Sequence, residues 1–263
     1  MDFTKYIRMQ NYISAFYNTP FDVKVNFIKS MLLRPESDLH TKFIYSQFKT
    51  IEMRFGFDGF TSDALNSYEH IKALRQKVIN SVGDNVCGAL QLTSAIALYS
   101  FVKNIKPKLI IETGVASGFS SRVILEAMEE NHIGKLISID LPNYTNKEGY
   151  HDQDGTFDKV YTPKKFGVGW LVPNKLKHRW NLLLGNSQKI LPNIKESPEI
   201  FLHDSDHSYT NMTYEFKWAV KKTKYLLADD ITRNNAWTET MKFSGITKSL
   251  MIKTFGIAQI NNN

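Results

Sequence analysis

The chain is poor in cysteine and has no long hydrophobic run. Cys87 is its only cysteine among 263 residues, which excludes an internal disulfide and a zinc site built from cysteines. No run approaches the roughly 18 apolar residues that suggest a membrane span. The N-terminus carries Asp2, Lys5 and Arg8 and lacks the apolar core of a signal peptide. We therefore expect a cytoplasmic protein that is not exported and does not span a membrane.

Two familiar nucleotide-binding motifs are also missing. Gly114 and Gly118 follow a short apolar run with G-x-x-x-G spacing, but the third glycine of the dinucleotide fingerprint is absent. No Gly-Lys-Ser/Thr follows, so the turn is not a P-loop. A glycine turn between a strand and a helix still lets a ligand approach the backbone and directs helix N–H groups at it. The turn is therefore a candidate cofactor site, although these glycines alone do not distinguish between nucleotides.

The chain has more basic than acidic residues, with a formal net charge of +7. Such a charge suits an anionic substrate, a membrane surface or nucleic acid. The lysines are scattered, however, and no DNA- or RNA-binding motif is present. We therefore disfavour nucleic acid as a partner. The length and the 42% hydrophobic content allow one sizeable core.

The apolar spacing divides the chain into two parts. Residues 1–85 have helical spacing, for example at Ile13, Phe16 and Tyr17, and predict an N-terminal helical cap or arm. This arm could mediate a homo-oligomer, or it could act as a lid over a substrate pocket. Residues 86–263 alternate between helical and strand patterns. We predict that they form the catalytic domain.

Seven apolar runs are predicted to be strands, at 109–113, 135–140, 181–184, 199–204, 225–230, 248–253 and 255–260. Helical stretches separate the first five, which predicts right-handed crossovers and parallel pairing. The last two runs are joined tightly and predict an antiparallel hairpin at one edge. The expected fold is α/β, a doubly wound, mostly parallel Rossmann-like sheet preceded by a helical segment.

A long polar connection at 142–179 interrupts this pattern. Connections of this length in a compact domain are usually functional or disordered. Gly167, Gly169 and Trp170 near its end indicate an ordered loop. We predict a lid over the site, and a plain surface loop is an equal alternative.

Acidic residues end the predicted parallel strands. They are Glu112, Asp140, Asp204, Asp229 and Asp230. Open parallel sheets bind ligands at the carboxyl ends of their strands, where an acid after the second strand can accept the hydroxyls of a ribose. This placement of Asp140 fits a nicotinamide enzyme as well as a methyltransferase. For any single acid, a helix cap or a solvated loop end is an alternative.

Three of these acids predict a metal site. Asp204, Asp229 and Asp230 end two strands that we expect to be neighbours. Their charges repel unless a cation lies between them, and carboxylates with waters suit Mg²⁺ or Mn²⁺ better than zinc. His207 follows three residues after Asp204, and a typical histidine pKa near 6.5 suits a general base. A capping or surface role is the alternative for His207, whereas His203 is expected to be packed or to lie beside an adenine.

These motifs resemble those of a known enzyme family. The segment ETGVASGFS at 112–120 resembles motif I of class I S-adenosylmethionine-dependent methyltransferases, in the E-x-G-x-x-x-G-x-S form of the metal-dependent small-molecule O-methyltransferases. GNSQ at 185–188 resembles the family's adenine-side turn. HDSDH at 203–207 resembles the segment with the first metal aspartate and the base, and LADD at 227–230 resembles the segment with the other two metal ligands. The resemblance extends over residues 86–230.

The resemblance implies a full set of site residues. It places the methionine end of S-adenosylmethionine on Glu112, Gly114, Gly118 and Ser120, its ribose on Asp140, and its adenine side on Asn186, Ser187 and Gln188. It places Mg²⁺ or Mn²⁺ on Asp204, Asp229 and Asp230, and it makes His207 and Asp204 the catalytic residues. The implied reaction is methylation of a hydroxyl on a sugar, a glycoside or a diol.

The resemblance also has departures. GWLVP at 169–173 and HDSDHSY at 203–209 are similar to a branch that includes macrocin and cephalosporin-type methyltransferases, whereas catechol-type members have a lysine base in place of His207. Asp230 stands where many members have asparagine, and the usual Pro-Gly-Gly turn is replaced at 221–224. Three alternatives stay open at this point: a nicotinamide-dependent oxidoreductase, a non-catalytic protein that binds the cofactor, and, from the charge alone, a nucleic-acid methyltransferase.

Overall fold

The computed structural model describes residues 38–83, 88–141, 150–151, 157–158 and 166–260. The helices are α1 (Asp38–Phe55), α2 (Phe60–Val82), α3 (Leu92–Ile105), α4 (Phe119–Glu130), α5 (Ser187–Ile190), α6 (Tyr209–Lys222) and α7 (Ala236–Phe243). The strands are β1 (Leu109–Thr113), β2 (Lys135–Asp140), β3 (Tyr150–His151), β4 (Phe157–Asp158), β5 (Trp180–Leu184), β6 (Ile200–His203), β7 (Tyr225–Ala228), β8 (Ser249–Ile252) and β9 (Phe255–Gln259). In the described ranges, no helix is long and apolar enough to cross a membrane.

Seven strands form one sheet in the order β5-β2-β1-β6-β7-β9-β8. The first five are parallel, and β9 pairs antiparallel with both β7 and β8. This arrangement confirms the predicted mostly parallel sheet with an antiparallel C-terminal hairpin. Because β1 lies between β2 and β6 and all three strands are parallel, their carboxyl ends lie side by side near the middle of the sheet.

The strands bury opposite faces against two helical layers. Ile110 packs in the core that contains α1 to α4, whereas the next residue, Ile111, packs in the core that contains α6 and α7. Side chains alternate between the faces of a strand, so a strand covered on both sides must be apolar throughout. This explains why the central strands are continuous apolar runs and why the polar residues collect at their ends.

The N-terminal helices extend the first of these layers. α3 is buried at every position from Thr93 to Val102, between α2 on one side and the sheet and α4 on the other. Phe48 of α1 and Ile71 of α2 are fully buried in the same core as Ile110. The predicted arm therefore includes at least two helices that share the core of the sheet. The predicted domain division between residues 85 and 86, and the helical pattern predicted within residues 1–37, lie outside the described residues.

The predicted lid at 142–179 is described in part. β3 and β4 form a short antiparallel pair, and residues 142–149, 152–156 and 159–165 lie outside the described part. The last portion, from residue 166, is anchored to the main domain. The N–H groups of Gly169 and Leu171 donate to the carbonyls of Ala116 and Ser117 over 2.9 and 3.0 Å. This portion therefore lies directly on the glycine turn after β1.

Candidate active site

The turn between β1 and α4 uses glycine to bring protein backbones together. Gly114 and Gly118 have φ values of +83° and +82°, a region that residues with a Cβ rarely adopt. A Cβ on Gly114 would lie 1.9 Å from the carbonyl oxygen of Asp204, and one on Gly118 would lie 2.8 Å from the Cα of Gly169. The sequence predicted these glycines as openings for a ligand, but the faces where a Cβ would project are occupied by the end of β6 and by the insert.

Asp140 lies behind this turn at the end of β2. Its Oδ2 atom accepts hydrogen bonds from the N–H groups of Val115 and Ala116, at 2.7 and 3.0 Å. Burial raises the pKa of Asp140, and these two N–H groups act in the opposite direction. The carboxylate therefore fixes the turn, and Oδ1, which has no hydrogen bond to the described residues, is the oxygen available to a ligand.

Glu112 lies beneath the turn and is fully buried. Its Oε2 atom accepts hydrogen bonds from the hydroxyls of Ser121 and Ser138, at 2.6 and 2.7 Å. Burial raises the pKa of Glu112, whereas hydrogen bonds from Ser120, Ser121 and Ser138 lower it. The structure thus places Glu112 and Ser120 in the layer between the sheet and α4, below the open edge where the sequence predicted the acid.

The predicted adenine-side residues follow β5, the strand next to β2. Asn186 caps α5 by accepting a hydrogen bond from the N–H of Gln188 at 2.8 Å. The N–H of Gly185 donates to the carbonyl of Asp140 at 2.8 Å. The predicted ribose and adenine residues are therefore adjacent at the strand ends, on the side of the glycine turn away from β7.

On the other side of the turn, three side chains converge. One ligand atom each of Asp204, His207 and Asp229 lies within 4.8 Å of the other two. Asp230 has a left-handed backbone at φ +48°, and its carboxylate accepts a hydrogen bond from Nε of Arg233 at 2.9 Å. The structure thus brings together two of the three predicted metal aspartates, adds His207, and pairs the third aspartate with an arginine.

Buried polar atoms in this cluster lack partners. Neither ring nitrogen of His207 nor Oδ1 of Asp229 has a hydrogen bond to any described residue. Burial, assisted by the Asp230 charge, raises the pKa of Asp229, whereas burial lowers the pKa of His207. Such buried groups need an explanation, and carboxylate and imidazole are common ligands of divalent metals. These residues therefore fit a divalent cation.

One member of the site was not predicted from the sequence. Glu215 of α6 is fully buried, and its Oε2 atom accepts hydrogen bonds from Thr113 Oγ1 and His203 Nδ1, both at 2.6 Å. Its Oε1 atom accepts from Ser205 at 3.0 Å and from Asn211 at 3.3 Å. This carboxylate ties the ends of β1 and β6 to the loop that carries the candidate metal ligands.

A sequence signal for Glu215 does exist. Glu215 lies three residues after Met212 and four before Ala219, both buried, so it occupies the apolar face of its helix. Burial alone raises the pKa of Glu215, but His203 and the hydroxyls of Ser187 and Thr113 outweigh it and hold the pKa below its usual value. An acid on an otherwise apolar helix face therefore indicates a buried polar partner.

Comparison with known proteins places this geometry in context. Residues 111–231, which include the glycine turn and the Asp204, His207 and Asp229 cluster, match a family model described as a methyltransferase domain. No curated protein sequence matches the chain at a significant level.

Solved structures share the fold. The O-methyltransferase TomG from Streptomyces achromogenes, involved in tomaymycin synthesis and solved with S-adenosylmethionine, is 14% identical with a TM-score of 0.54, over 77% of this chain and 96% of that chain. The O-methyltransferase from Bacillus cereus, solved with S-adenosylhomocysteine, is 13% identical with a TM-score of 0.50, over 72% and 91%. At these identities the likeness shows a common fold.

Proposed function

We propose that this chain is a class I S-adenosylmethionine-dependent methyltransferase that methylates a hydroxyl of a small molecule with the help of a divalent metal ion. The match of residues 111–231 to a methyltransferase-domain model supports the transferase assignment. The observation that carries the proposal is the position of the Asp204, His207 and Asp229 cluster beside the glycine turn. The carbonyl of Asp204 lies against Gly114. A cofactor on the turn and an acceptor on the cluster would therefore be neighbours.

The cofactor side follows from residues at the ends of β1, β2 and β5. The N-terminus of α4 and the turn from Gly114 to Ser120 would hold the methionine end of the cofactor, with Glu112 supporting the turn from below. Oδ1 of Asp140 would accept the ribose hydroxyls, and the turn at 186–188 would border the adenine. The bound cofactor supplies an activated methyl group, so the protein contributes orientation and charge.

The acceptor side follows from the cluster. Asp204 and Asp229 would hold Mg²⁺ or Mn²⁺, and Asp230 would be a third ligand after exchanging its contact with Arg233. The ion, when bound, supplies Lewis acidity that lowers the pKa of an acceptor hydroxyl. Burial lowers the pKa of His207 to about 3, which keeps the imidazole neutral but makes it a weak base. One of its unpartnered ring nitrogens would therefore take the proton only from a hydroxyl whose own pKa the ion has lowered. Sugars, glycosides and diols are all candidate acceptors.

Removing the metal should stop the reaction. We expect protein treated with EDTA to lose at least about 90% of its methyl transfer and to recover it when Mg²⁺ or Mn²⁺ is added, because a chelated metal no longer lowers the hydroxyl pKa. The measurement is release of S-adenosylhomocysteine with a panel of sugars, glycosides and catechols. Full activity in EDTA would refute the metal role and leave the methyltransferase assignment in place.

Replacing His207 by alanine should lower kcat by about 100-fold, the usual contribution of a general base. The affinity for S-adenosylhomocysteine should not change, because His207 lies on the acceptor side. Mn²⁺ binding to the same variant, measured by electron paramagnetic resonance, separates a base from a ligand. The capping role is not seen, because Ser208 caps α6 and the His207 ring nitrogens are buried. A variant that turns over normally would make His207 a packed residue, and one that loses Mn²⁺ affinity would make it a metal ligand.

Calorimetry distinguishes the proposal from its alternatives. The protein should bind S-adenosylhomocysteine and not NADH, as the methyltransferase-domain match also argues. Binding without methyl release to any acceptor in the presence of metal would favour a non-catalytic cofactor-binding protein. The cytoplasmic location and a homo-oligomer formed through the N-terminal helices stay predictions.

A further inference from the structure

The hairpin turn between β8 and β9 lies at the same edge of the sheet as the candidate metal cluster. β9 pairs with β7 so that Gly256 is opposite Ala228, and the N–H of Ile231 donates to the carbonyl of Thr254 at 3.0 Å. Lys253 therefore lies beside the segment that carries Asp229. It is on the acceptor side of the sheet, because β1, β6 and β7 separate it from β2 and the predicted ribose site.

Lys253 is a half-buried cation in the described part of the chain, where it has neither a salt bridge nor a hydrogen bond from its side chain. Its Nζ atom is not among the fully buried unpartnered atoms, so it can be reached from solvent. Burial lowers the pKa of Lys253, and the positive charge of Arg75 lowers it further. Lys253 thus lies close enough to Arg75 to feel its charge, and the Lys253 ammonium is partly buried without an anionic partner among the described residues, which is unfavourable.

The backbone at Lys253 is also unusual. Its φ is +53°, the left-handed conformation of the first residue in the two-residue turn that joins β8 to β9. The turn is held by Gln91, whose Nε2 donates to Thr254 Oγ1 at 3.4 Å, and Arg75 is held by its Nε bond to the carbonyl of Leu90 at 3.0 Å. Neighbouring segments therefore hold the turn that carries Lys253 and the guanidinium of Arg75.

We propose that Lys253, with Arg75 beside it, binds an anionic oxygen group, a carboxylate or a phosphate, on the methyl acceptor. The proposal rests on the proposed function, because it places this group next to the cluster that would hold the acceptor's hydroxyl. The substrate class is then a hydroxy compound that carries an acidic group. The basic subsite distinguishes such acceptors from their neutral analogues, which lack a partner for the ammonium.

Matched acceptor pairs test this subsite. Calorimetry on protein saturated with S-adenosylhomocysteine and Mg²⁺ would compare 3,4-dihydroxybenzoate with 3,4-dihydroxybenzamide, and glucose 6-phosphate with glucose. We expect at least one anion to bind about 10- to 100-fold more tightly than its neutral twin, the range of a hydrogen bond to a charged group. The pair that shows the difference identifies the group as a carboxylate or a phosphate.

Variants of Lys253 locate the effect. Lys253→Gly removes the ammonium and suits the left-handed backbone, so it should fold and should reduce the preference for the anion to about twofold or less. Lys253→Arg should keep most of the preference. Lys135→Ala is the control, because it removes one positive charge from an exposed residue at the opposite end of the sheet and should leave the preference unchanged.

The outcomes are distinct. The subsite is refuted if the wild-type protein binds S-adenosylhomocysteine but binds neither anion, or binds both members of each pair equally. It is also refuted if the preference survives in Lys253→Gly or disappears in Lys135→Ala. Failure of the protein to bind S-adenosylhomocysteine at all would instead refute the proposed function.

Discussion

Replacing Glu215 by alanine should lower the free energy of unfolding by about 3–5 kcal/mol, because several donors lose their acceptor and each unsatisfied buried donor costs about 1–3 kcal/mol. The carboxylate is fully buried and accepts 2.6 Å hydrogen bonds from Thr113 and His203. Its removal leaves those buried donors and the partly buried Ser205 hydroxyl without this acceptor. Unsatisfied buried donors keep the penalty of desolvation without a compensating bond.

Urea unfolding followed by circular dichroism measures this loss. The control is Glu196→Ala, which removes the same charge from an exposed residue and should change the stability by less than about 0.5 kcal/mol. Glu215→Gln keeps the size of the side chain but places an amide N–H₂ among groups that donate, so we expect an intermediate loss of about 1–3 kcal/mol. A loss below 1 kcal/mol in Glu215→Ala would mean that the hydrogen-bond network does not hold this edge of the sheet together.

The Glu215 network connects stability with the candidate site. Ser205 follows Asp204 directly, and its hydroxyl donates to Glu215, while His203 on the other side of Asp204 donates to the same carboxylate. The backbone of Asp204 is thus fixed on both sides by one buried acid. Groups that orient metal ligands commonly alter metal affinity by about 10- to 100-fold when removed. We therefore expect the folded fraction of Glu215→Gln to bind Mn²⁺ more weakly than the wild-type protein.

Much of the fold could be predicted from local patterns. The runs at 109–113 and 135–140 coincide with β1 and β2, because strands covered on both faces are apolar throughout. The predicted strands 199–204 and 225–230 overrun β6 and β7 at their acidic ends, since Asp204 and the Asp229–Asp230 pair lie beyond the paired residues. The short β3–β4 pair carried too little pattern to be recognised. The lateral order of the strands also depends on long-range pairing, which a single strand's pattern does not specify.

The candidate site was predictable in part for a related reason. The ends of parallel strands share an edge, so the proximity of Asp204 and Asp229 followed from their positions in the sequence. Asp230 pairs with Arg233 and has a left-handed backbone. The residue type alone does not predict this conformation. Likewise, the sequence pattern at the end of β1 marked Glu112 as a candidate cofactor residue. It did not indicate that serines from α4 and β2 would donate hydrogen bonds to its carboxylate. Contacts between distant elements are thus the part that local patterns leave undetermined.

Replacing Gly114 by alanine should damage the site more than any surface change, with methyl transfer falling by about 1,000-fold. The new Cβ would lie 1.9 Å from the carbonyl oxygen of Asp204, where real contacts stay beyond 3.0 Å, so one of the two backbones must move by roughly 1 Å. A displacement of about 1 Å can by itself cost about 100-fold in rate. Here it would move both the cofactor turn and the first metal ligand. The left-handed φ of +83° and the overpacking should also lower stability, by about 3 kcal/mol.

Gly56→Ala is the matched control for this prediction. Gly56 has a similar φ of +72°, but a Cβ there would meet nothing within 4 Å. It should therefore show only the backbone cost of about 1–2 kcal/mol and should retain its activity. Calorimetry with S-adenosylhomocysteine and electron paramagnetic resonance with Mn²⁺ would show whether Gly114→Ala weakens the binding of both ligands. If Gly114→Ala matched Gly56→Ala in stability and kept both affinities, the close approach of β6 to the turn would not be what aligns the two halves of the site.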